Sequence, residues 1–281
     1  MRHIRKDDIL QKIENLCADI NYNLSDDVLA AVNKNIRDNG SLSDAVLKEI
    51  VENAQIAKNE KIALCQDTGT ANFFVRCGKN IFFEDNSDIY SIIDEGVKNG
   101  YKKYCLRKSI VADPIDRINT GTNTPANVYV DFVEGDKIEI TMLAKGGGSE
   151  NASALKMLTP AAGWNGIKDF IIDSVKQKGA NACPPLIIGV GIGGDFASVG
   201  LLAKKSLLRD IGSKNKDKKY DEREKELLSE INALKIGPMG LGGECTALAV
   251  FIETKPCHIA SLPVAVNMQC HSHRKKTIII I

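Results

Sequence analysis

The sequence PLIIGVGIGG, residues 185–194, is an apolar run that ends in a cluster of glycines, and it is the clearest indicator of the fold. A short apolar run bounded by glycine and proline is typical of a buried strand, and the apolar pattern that follows it has helical spacing. Strand and helix alternate in this way through the second half of the chain. Predicted helices there span residues 166–178 and 196–209, a third begins near residue 221, and predicted strands span residues 185–190, 247–252 and 277–281. This alternation predicts an α/β (mixed α+β) fold, a mixed β-sheet covered by helices.

The first third of the chain is predicted to be mostly helical. Apolar residues recur at spacings of three and four over residues 8–20, 26–37 and 44–58. The predicted helix boundaries are Ser25 and Ser43 as N-caps and Asn39-Gly40 as a stop.

Two strands in the middle of the chain are predicted to form a β-hairpin. Residues 128–133 and 137–143 alternate in polarity around Glu134-Gly135-Asp136, a good turn sequence. A further strand at 71–75 and a helix at 89–104 precede them. Because no linker or repeat interrupts the pattern, we expect one domain over residues 1–281.

Charge and composition exclude several classes of partner. The chain has 37 Lys and Arg against 36 Asp and Glu, which leaves no basic surface for nucleic acid. No apolar run approaches the roughly 20 residues that span a bilayer, so no membrane association is predicted. The amino terminus leads into a charged helix instead of an apolar signal core, and the eight cysteines suit a reducing compartment. We therefore expect a cytoplasmic protein.

Three cysteines lie in polar, turn-forming sequences. Cys65 begins CQDTGT, Cys183 precedes two prolines, and Cys270 precedes a histidine. Iron–sulfur clusters are normally held by four thiolates, so three would leave one iron open to act as a Lewis acid. This indicates a cluster-dependent dehydratase, with packing as the alternative role for each cysteine. Packing is the prediction for Cys17, Cys77 and Cys105, and no role is assigned to Cys245 and Cys257.

Two glycine-rich segments each allow two interpretations. Residues 189–194 satisfy G-x-G-x-x-G between a strand and a helix, with Asp210 near the position of a ribose-binding acid. A dinucleotide-dependent oxidoreductase is therefore a rival hypothesis, although a lysine-rich loop follows where a second buried strand is needed. Residues 145–151, KGGGSEN, have successive amides that could bind a carboxylate, or they are simply a flexible turn.

Five motifs, taken in order, carry a resemblance to a known family. They are CQDTGT at 65–70, NTGTN at 119–123, AKGGGS at 144–149, CPP at 183–185 and the segment 237–274. Together they resemble class I, iron–sulfur-dependent fumarate hydratases, from about residue 8 to the end of the chain. The match is to the α subunit of the two-chain form. The related tartrate dehydratase α subunits share the cysteine pattern, and the sequence at 144–151 favours fumarate over tartrate.

The resemblance implies a cofactor and a reaction. By it, Cys65, Cys183 and Cys270 are the ligands of a 4Fe-4S cluster whose open iron assists the reversible hydration of fumarate to (S)-malate. Asp67 is implied to be a catalytic acid/base group, and an Asx-turn role is its structural alternative. The substrate-binding residues implied for the small dicarboxylic acid are Gln66, Asp67, Arg107, Gly148 and His258.

The resemblance also implies partners. His258 is expected to reach across an interface between two copies of this chain, whereas without the family it would be interpreted as a half-buried histidine. Arg107 has a surface ion pair as its alternative role. A β subunit carrying the carboxy-terminal domain is expected to complete the enzyme. The alternatives are an L-tartrate dehydratase α subunit, the dinucleotide-dependent oxidoreductase and an iron–sulfur redox sensor.

Overall fold

The computed structural model describes residues 2–84 and 87–280 and confirms a mixed α and β fold with a helical amino-terminal region. The chain folds into two compact units. The first unit contains Met1–Ser25, Ala54–Gly147 and Arg274–Ile281, and the second contains Asp26–Asn53 and Gly148–His273.

The elements follow the predicted order closely. The helices are α1 (Lys6–Tyr22), α2 (Asp26–Lys34), α3 (Leu42–Glu60), α4 (Ile89–Lys103), α5 (Gly147–Asn151), α6 (Gly163–Lys178), α7 (Phe196–Ser206) and α8 (Lys218–Ala233). The strands are β1 (Arg2–Ile4), β2 (Thr70–Gly78), β3 (Ile81–Phe83), β4 (Asn127–Val133), β5 (Ile138–Lys145), β6 (Ala154–Leu158), β7 (Leu186–Gly193), β8 (Ala247–Lys255), β9 (Leu262–Gln269) and β10 (Arg274–Ile280). Every predicted helix is present, because each has an apolar face that packs on a sheet or on another helix. The end of the last predicted strand, residue 281, lies outside the described residues.

The first unit is built on a four-stranded sheet in the order β10-β5-β2-β4, and β1 pairs with β3 beside it. One face of β2 supplies Phe73, Val75 and Cys77 to a core shared with α1 and α4. β2 and β5 are antiparallel, with Thr70 opposite Lys145. The residues just before β2 and those just after β5 therefore meet at one end of the sheet.

The predicted hairpin is wrong, because β2 lies between the two strands that were expected to pair. β4 is parallel to β2 and β5 is antiparallel to it. The turn at 134–136 crosses the end of β2 instead, where the Gly78 amide donates to Lys137 O at 2.9 Å and the Lys79 amide donates to Val133 O at 2.9 Å. Residues 134–136 do form a turn, as predicted, but β2, from earlier in the chain, lies between the two strands that this turn connects.

The second unit has a four-stranded sheet in the order β6-β9-β7-β8. β7 is buried along its whole length, as its apolar sequence predicts, and α7 packs directly on it. β7 and β9 are antiparallel, with Ile187 opposite Gln269. Cys183, just before β7, and Cys270, just after β9, therefore lie at the same end of this sheet.

Ser25 directly precedes α2, as predicted for an N-cap, but its side chain makes no capping hydrogen bond in the described part of the chain, and the predicted N-cap Ser43 is wrong. The Ser25 hydroxyl is buried and has no hydrogen-bond partner among the described residues. Ser43 lies inside α3, and the Ser41 hydroxyl instead accepts from the Asp44 amide at 3.2 Å. Asp44 in turn accepts from the backbone amides of residues 37 and 39, and the hydrogen bond from residue 39 is the main cause of a lowered Asp44 pKa. The predicted stop at 39–40 falls in this loop, since α2 ends at residue 34.

No helix in the described part of the chain is long and apolar enough to cross a lipid bilayer.

Candidate active site

Asp67 is held by two backbone amides at the start of β2. Its Oδ1 accepts from the Gly69 amide at 3.0 Å, which confirms the Asx turn, and its Oδ2 accepts from the Gly147 amide at 2.7 Å. Gly69 has a φ of +75°, and a Cβ atom there would lie 2.6 Å from Lys145 O, so no larger residue fits. The half-buried carboxylate of Asp67 is thus oriented by two amides, one of them from Gly147. Gly147 belongs to residues 146–149, which we call the glycine turn.

Cys65 and Gln66 precede Asp67 in the same polar turn. Cys65 is a half-buried thiol and Gln66 is exposed. The Leu64 amide donates to Asn21 O at 2.8 Å, which attaches the turn to the last residues of α1. The backbone of this turn is therefore anchored on both sides, at Leu64 and at Asp67.

Arg107 is exposed, and its backbone is attached to the Asp67 turn. The Thr68 hydroxyl donates to Arg107 O at 2.7 Å, and Asn123 Nδ2 donates to Gly69 O at 3.2 Å. Beneath them, the buried Tyr101 hydroxyl donates to Thr68 O at 3.1 Å. Burial raises the pKa of Tyr101 above its ordinary value. The predicted motifs at 65–70 and 119–123 are thus brought together in the first unit.

Gly148 lies in the short helix α5, in the second unit. It is exposed, and a Cβ atom on it would lie 3.4 Å from Asn181 O. The next residue, Ser149, is buried, and its hydroxyl donates to Gln269 Oε1 at 3.3 Å. The glycine run is therefore an ordered turn held by side chains, which excludes the flexible-turn alternative.

Cys183 and the segment after Cys270 are hydrogen bonded to each other. The His271 amide donates to Cys183 O at 3.2 Å, and His271 Nδ1 lies 3.0 Å from the same oxygen. Cys183 is exposed and has left-handed backbone angles, φ 53° and ψ 66°, which few residues other than glycine adopt. Cys270 is half-buried. Two of the three predicted ligands, Cys183 and Cys270, thus lie close to each other at one end of the sheet of the second unit.

His258 lies in the loop between β8 and β9 and is exposed. Its Nδ1 accepts from the Ala260 amide at 3.1 Å, and its carbonyl accepts from the Ser261 amide at 3.0 Å. The half-buried alternative is therefore wrong. The loop around His258 is held by these hydrogen bonds within it.

The sequence model of one protein family, described as fumarate hydratase (Fumerase), matches residues 10–279 of this chain. The chain belongs to the Fumerase family. The match contains every residue of the geometry above, in both units, and the resemblance expected from the five motifs is confirmed.

Relatives in the Fumerase family are similar over most of their length. A Methanocaldococcus jannaschii protein named "Putative L(+)-tartrate dehydratase subunit alpha" is 45% identical over 244 residues, 85% of this chain and 85% of the relative. A protein of Escherichia coli O157:H7 named "L(+)-tartrate dehydratase subunit alpha" is 33% identical over 95% of this chain and 89% of its own length. A protein of the same name from Escherichia coli strain UTI89 is 34% identical over 95% of this chain and 88% of its own length.

The three predicted ligands fit an iron–sulfur cluster by their chemistry. Cys65, Cys183 and Cys270 are all thiols in loops, and thiolates are the usual ligands of such clusters. Within residues 2–84 and 87–280, no group of three or more His, Cys, Asp or Glu side chains is arranged to hold a metal ion. The fit to an iron–sulfur cluster therefore rests on the chemistry of the three thiols, and not on a metal-binding geometry already present in the described residues.

The other cysteines divide into two groups. Cys17 and Cys77 are buried in the core of the first unit as predicted, and burial raises the pKa of both thiols. Burial also raises the pKa of Cys245 to about 12, which suits an inert packing residue. Cys105 and Cys257 are exposed, so the packing prediction for Cys105 is wrong. Cys105 follows the end of α4 with a φ of 53°, outside the apolar face of that helix.

The geometry of the second glycine segment argues against a dinucleotide site in this Fumerase-family chain. A Cβ atom on Gly189 would lie 2.2 Å from Ala203 O, so this glycine allows α7 to lie directly on β7. At the start of α7, Asp195 Oδ1 accepts from the Ser198 amide at 2.7 Å, and the Ser198 hydroxyl accepts from the Asp195 amide at 2.9 Å. A carboxylate therefore occupies the helix end that a pyrophosphate needs.

Arg274 is a polar residue near Asp67 that sequence reasoning missed. Its side chain is among the largest that are fully buried, and Nη1 donates to Asn21 Oδ1 at 2.9 Å. A Cβ atom on Gly146 would lie 3.3 Å from Asp67 Oδ2 and 3.9 Å from Arg274 Nη2. A side chain at position 146 would therefore lie close to both a carboxylate and a buried guanidinium. The only sequence signal is the position of Arg274 in the segment 237–274, because its partner Asn21 is 253 residues away.

Proposed function

We propose that this Fumerase-family chain is the α subunit of a hydro-lyase that catalyses the reversible hydration of fumarate to (S)-malate. The observation that carries the proposal is the Asp67 carboxylate, which two amides hold beside the exposed glycine turn in a chain matched to the family over residues 10–279. Hydration of a dicarboxylic acid needs a proton-transfer group beside donors that bind a carboxylate. Asp67 and the glycine turn supply these two functions.

Cys65, Cys183 and Cys270 are proposed to hold a 4Fe-4S cluster. When bound, the cluster supplies a Lewis acid through the iron that has no protein thiolate. The residues of this chain bind and orient the substrate around it. Arg107 is suited to bidentate binding of a carboxylate, and Gln66 and the Gly148 amide are further contacts.

Asp67 is the proposed acid/base group. The hydrogen bonds from Gly69 and Gly147 each use one lone pair of the carboxylate and leave others for a substrate proton. In malate dehydration the carboxylate takes a proton from carbon as hydroxide leaves, and in hydration it returns that proton. The fixed orientation of Asp67 lowers the entropic cost of reaching this geometry.

A second chain and a second copy of this chain are proposed partners. The similar proteins are named as α subunits, which supports a β subunit that completes the site. His258 is exposed on an ordered loop, which supports its contact with a substrate bound by another copy.

L(+)-tartrate is the second candidate substrate, because the similar proteins from Methanocaldococcus jannaschii and Escherichia coli carry tartrate dehydratase names. Tartrate has one more hydroxyl than malate, and its dehydration gives oxaloacetate. The same acid/base and carboxylate-binding groups serve either substrate, so the discrimination depends on a hydrogen bond to the extra hydroxyl.

Anaerobic co-expression with the predicted β subunit tests the function. We expect loss of fumarate absorbance without added nicotinamide, and faster turnover of fumarate than of tartrate. Faster oxaloacetate formation from tartrate would support the second candidate. A requirement for nicotinamide would indicate the oxidoreductase, and a stable cluster with no turnover would indicate the sensor.

Serine substitutions test the cluster ligands. Cys65→Ser, Cys183→Ser and Cys270→Ser should each lose the visible absorption of the cluster and all activity, since each removes one of three thiolates. Cys17→Ser, a substitution of a buried packing cysteine, is the control and should retain both. Retention of the cluster by any of the first three variants would contradict the assignment.

A further inference from the structure

We propose that Lys204 is a positioning residue for the glycine turn, acting through Glu150. The inference rests on the proposed function, which gives the turn its substrate contact at Gly148. It also assigns a role to the glycines at 189 and 191, which the proposed reaction does not use.

Helix α5, which contains most of the glycine turn, is too short to be stable alone. α5 has five residues, fewer than an isolated helix needs in water. Its conformation therefore depends on contacts with the rest of the second unit. Three such contacts follow the glycines directly: Ser149 to Gln269, Glu150 to Lys204, and the Ser153 hydroxyl, which accepts from the Met268 amide at 3.2 Å.

The contact between Glu150 and Lys204 is the charged one of the three. Lys204 Nζ lies 2.7 Å from Glu150 Oε1, and the lysine side chain is only 11% exposed while that of Glu150 is 41% exposed. Asn267 Nδ2 approaches the second oxygen, Glu150 Oε2, at 3.4 Å. A carboxylate held at both oxygens has a defined orientation, and so does the backbone two residues before it, at Gly148. Removal of the lysine charge would take away the charged partner of Oε1 and so weaken the hold on this partly exposed carboxylate.

The position of Lys204 is set by the close packing of α7 on β7. A Cβ atom on Gly189 would lie 2.2 Å from the carbonyl oxygen of Ala203, the residue before Lys204, and one on Gly191 would lie 2.4 Å from Val199 O. These glycines let the helix approach the strand closely enough to keep the lysine inside the unit. The glycines at 189 and 191 thus determine where the ammonium group of Lys204 contacts Glu150.

Four forms of the chain, each assembled with its β subunit and cluster, test this role. They are wild type, Lys204→Met, Lys204→Arg and Lys168→Met. Lys168 is the matched control, since it is a partly buried lysine of the same unit that is paired with Glu226 and Glu230. The measurements are kcat and KM for fumarate and, on the same assembled enzyme, amide hydrogen exchange over residues 147–153.

We expect Lys204→Met to raise KM by about tenfold with a much smaller change in kcat, because the variant weakens binding of ground state and transition state alike. Exchange over residues 147–153 should become faster, and Lys204→Arg should restore both values towards wild type. Lys168→Met should change neither. If Lys204→Met does not fold, Glu150→Gln removes the same ion pair at its more exposed partner and should give the same two changes.

An unchanged KM and unchanged exchange in Lys204→Met would overturn the inference. So would equal effects in Lys168→Met, which would indicate a general loss of stability. If wild type turned over neither fumarate nor tartrate, the proposed function would fail. The exchange measurement would still decide whether Lys204 orders the turn.

Discussion

The two glycine-rich segments of this chain have similar compositions and opposite surroundings. The glycine turn at 146–149 lies beside a catalytic candidate and has exposed residues, Gly147 and Gly148. The segment at 189–194 is mostly buried and lies largely in β7, where α7 packs on it. Cβ atoms on Gly189 and Gly191 would lie too close to backbone oxygens of α7. Glycine content alone therefore does not distinguish a ligand-binding turn from a packing surface. The atoms that a side chain would meet make the distinction.

The largest effect is expected for Gly189→Ala. The added methyl group would lie 2.2 Å from Ala203 O and must displace α7, at a cost of about 3 kcal/mol in the free energy of unfolding. Urea denaturation measures the loss. Gly200→Ala, on α7, is the control, because its Cβ atom would lie 4.0 Å from the nearest atom, Leu155 Cδ1. It should stabilise the protein by about 0.5 kcal/mol through helix propensity. Equal stability of both variants would remove the distinction between the two segments.

Gly146→Ala should reduce activity while leaving stability nearly unchanged. The methyl group would lie 3.3 Å from Asp67 Oδ2 and 3.9 Å from Arg274 Nη2, and the closer contact would turn the carboxylate out of its orientation. We expect kcat of the assembled enzyme to fall by about tenfold or more, as misplacement of a catalytic group does. The free energy of unfolding should change by less than about 1 kcal/mol. A large loss of stability with normal kcat would place Gly146 with the packing glycines instead.

The smallest expected effect is on the pH dependence of stability, and it comes from Asp195 at the start of α7. Hydrogen bonds from Ser198 lower the pKa of Asp195, so the folded protein favours the ionised carboxylate more than the unfolded chain does. This contribution to stability is present above the unfolded pKa, near 3.9, and is lost as the pH falls through the lower folded value. Asp195→Asn keeps a capping oxygen but does not titrate. Wild type should therefore lose stability relative to this variant only below about pH 4 in thermal unfolding. Parallel pH curves for the two proteins would contradict this assignment.

The sequence predicted local structure and local motifs well. The helices followed from apolar spacing, and the Asx turn at Asp67 and the buried strand β7 followed from residues within a few positions of each other. These features depend on contacts close in sequence, which a pattern can report. The predicted N-cap Ser43 failed because α3 begins at Leu42, and apolar spacing locates the first residue of a helix poorly. Ser25 precedes α2 as predicted, but its hydroxyl is not used as a cap among the residues that the structure describes.

Long-range placement was not predictable in the same way. β2 separates two strands that follow it by about fifty residues in the sequence, and no turn signal reports such an insertion. Lys204 meets Glu150 across 54 residues, and Arg274 meets Asn21 across 253. In each case the partner is chosen by tertiary packing. The residues that support the candidate site were therefore missed, whereas the residues within its motifs could be named from the sequence and stay predictions.

The return of β10 to the first unit has a consequence for synthesis on the ribosome. β10 pairs with β5 along seven residues, from Arg274 opposite Ala144 to Ile280 opposite Ile138. The second unit ends at His273, so all of its residues are translated before this edge strand exists. During translation the nascent chain thus exposes an unpaired edge at β5 and lacks the guanidinium that will lie behind Gly146. An unpaired strand edge can pair with another chain, so aggregation through β5 is favoured until β10 has been synthesised.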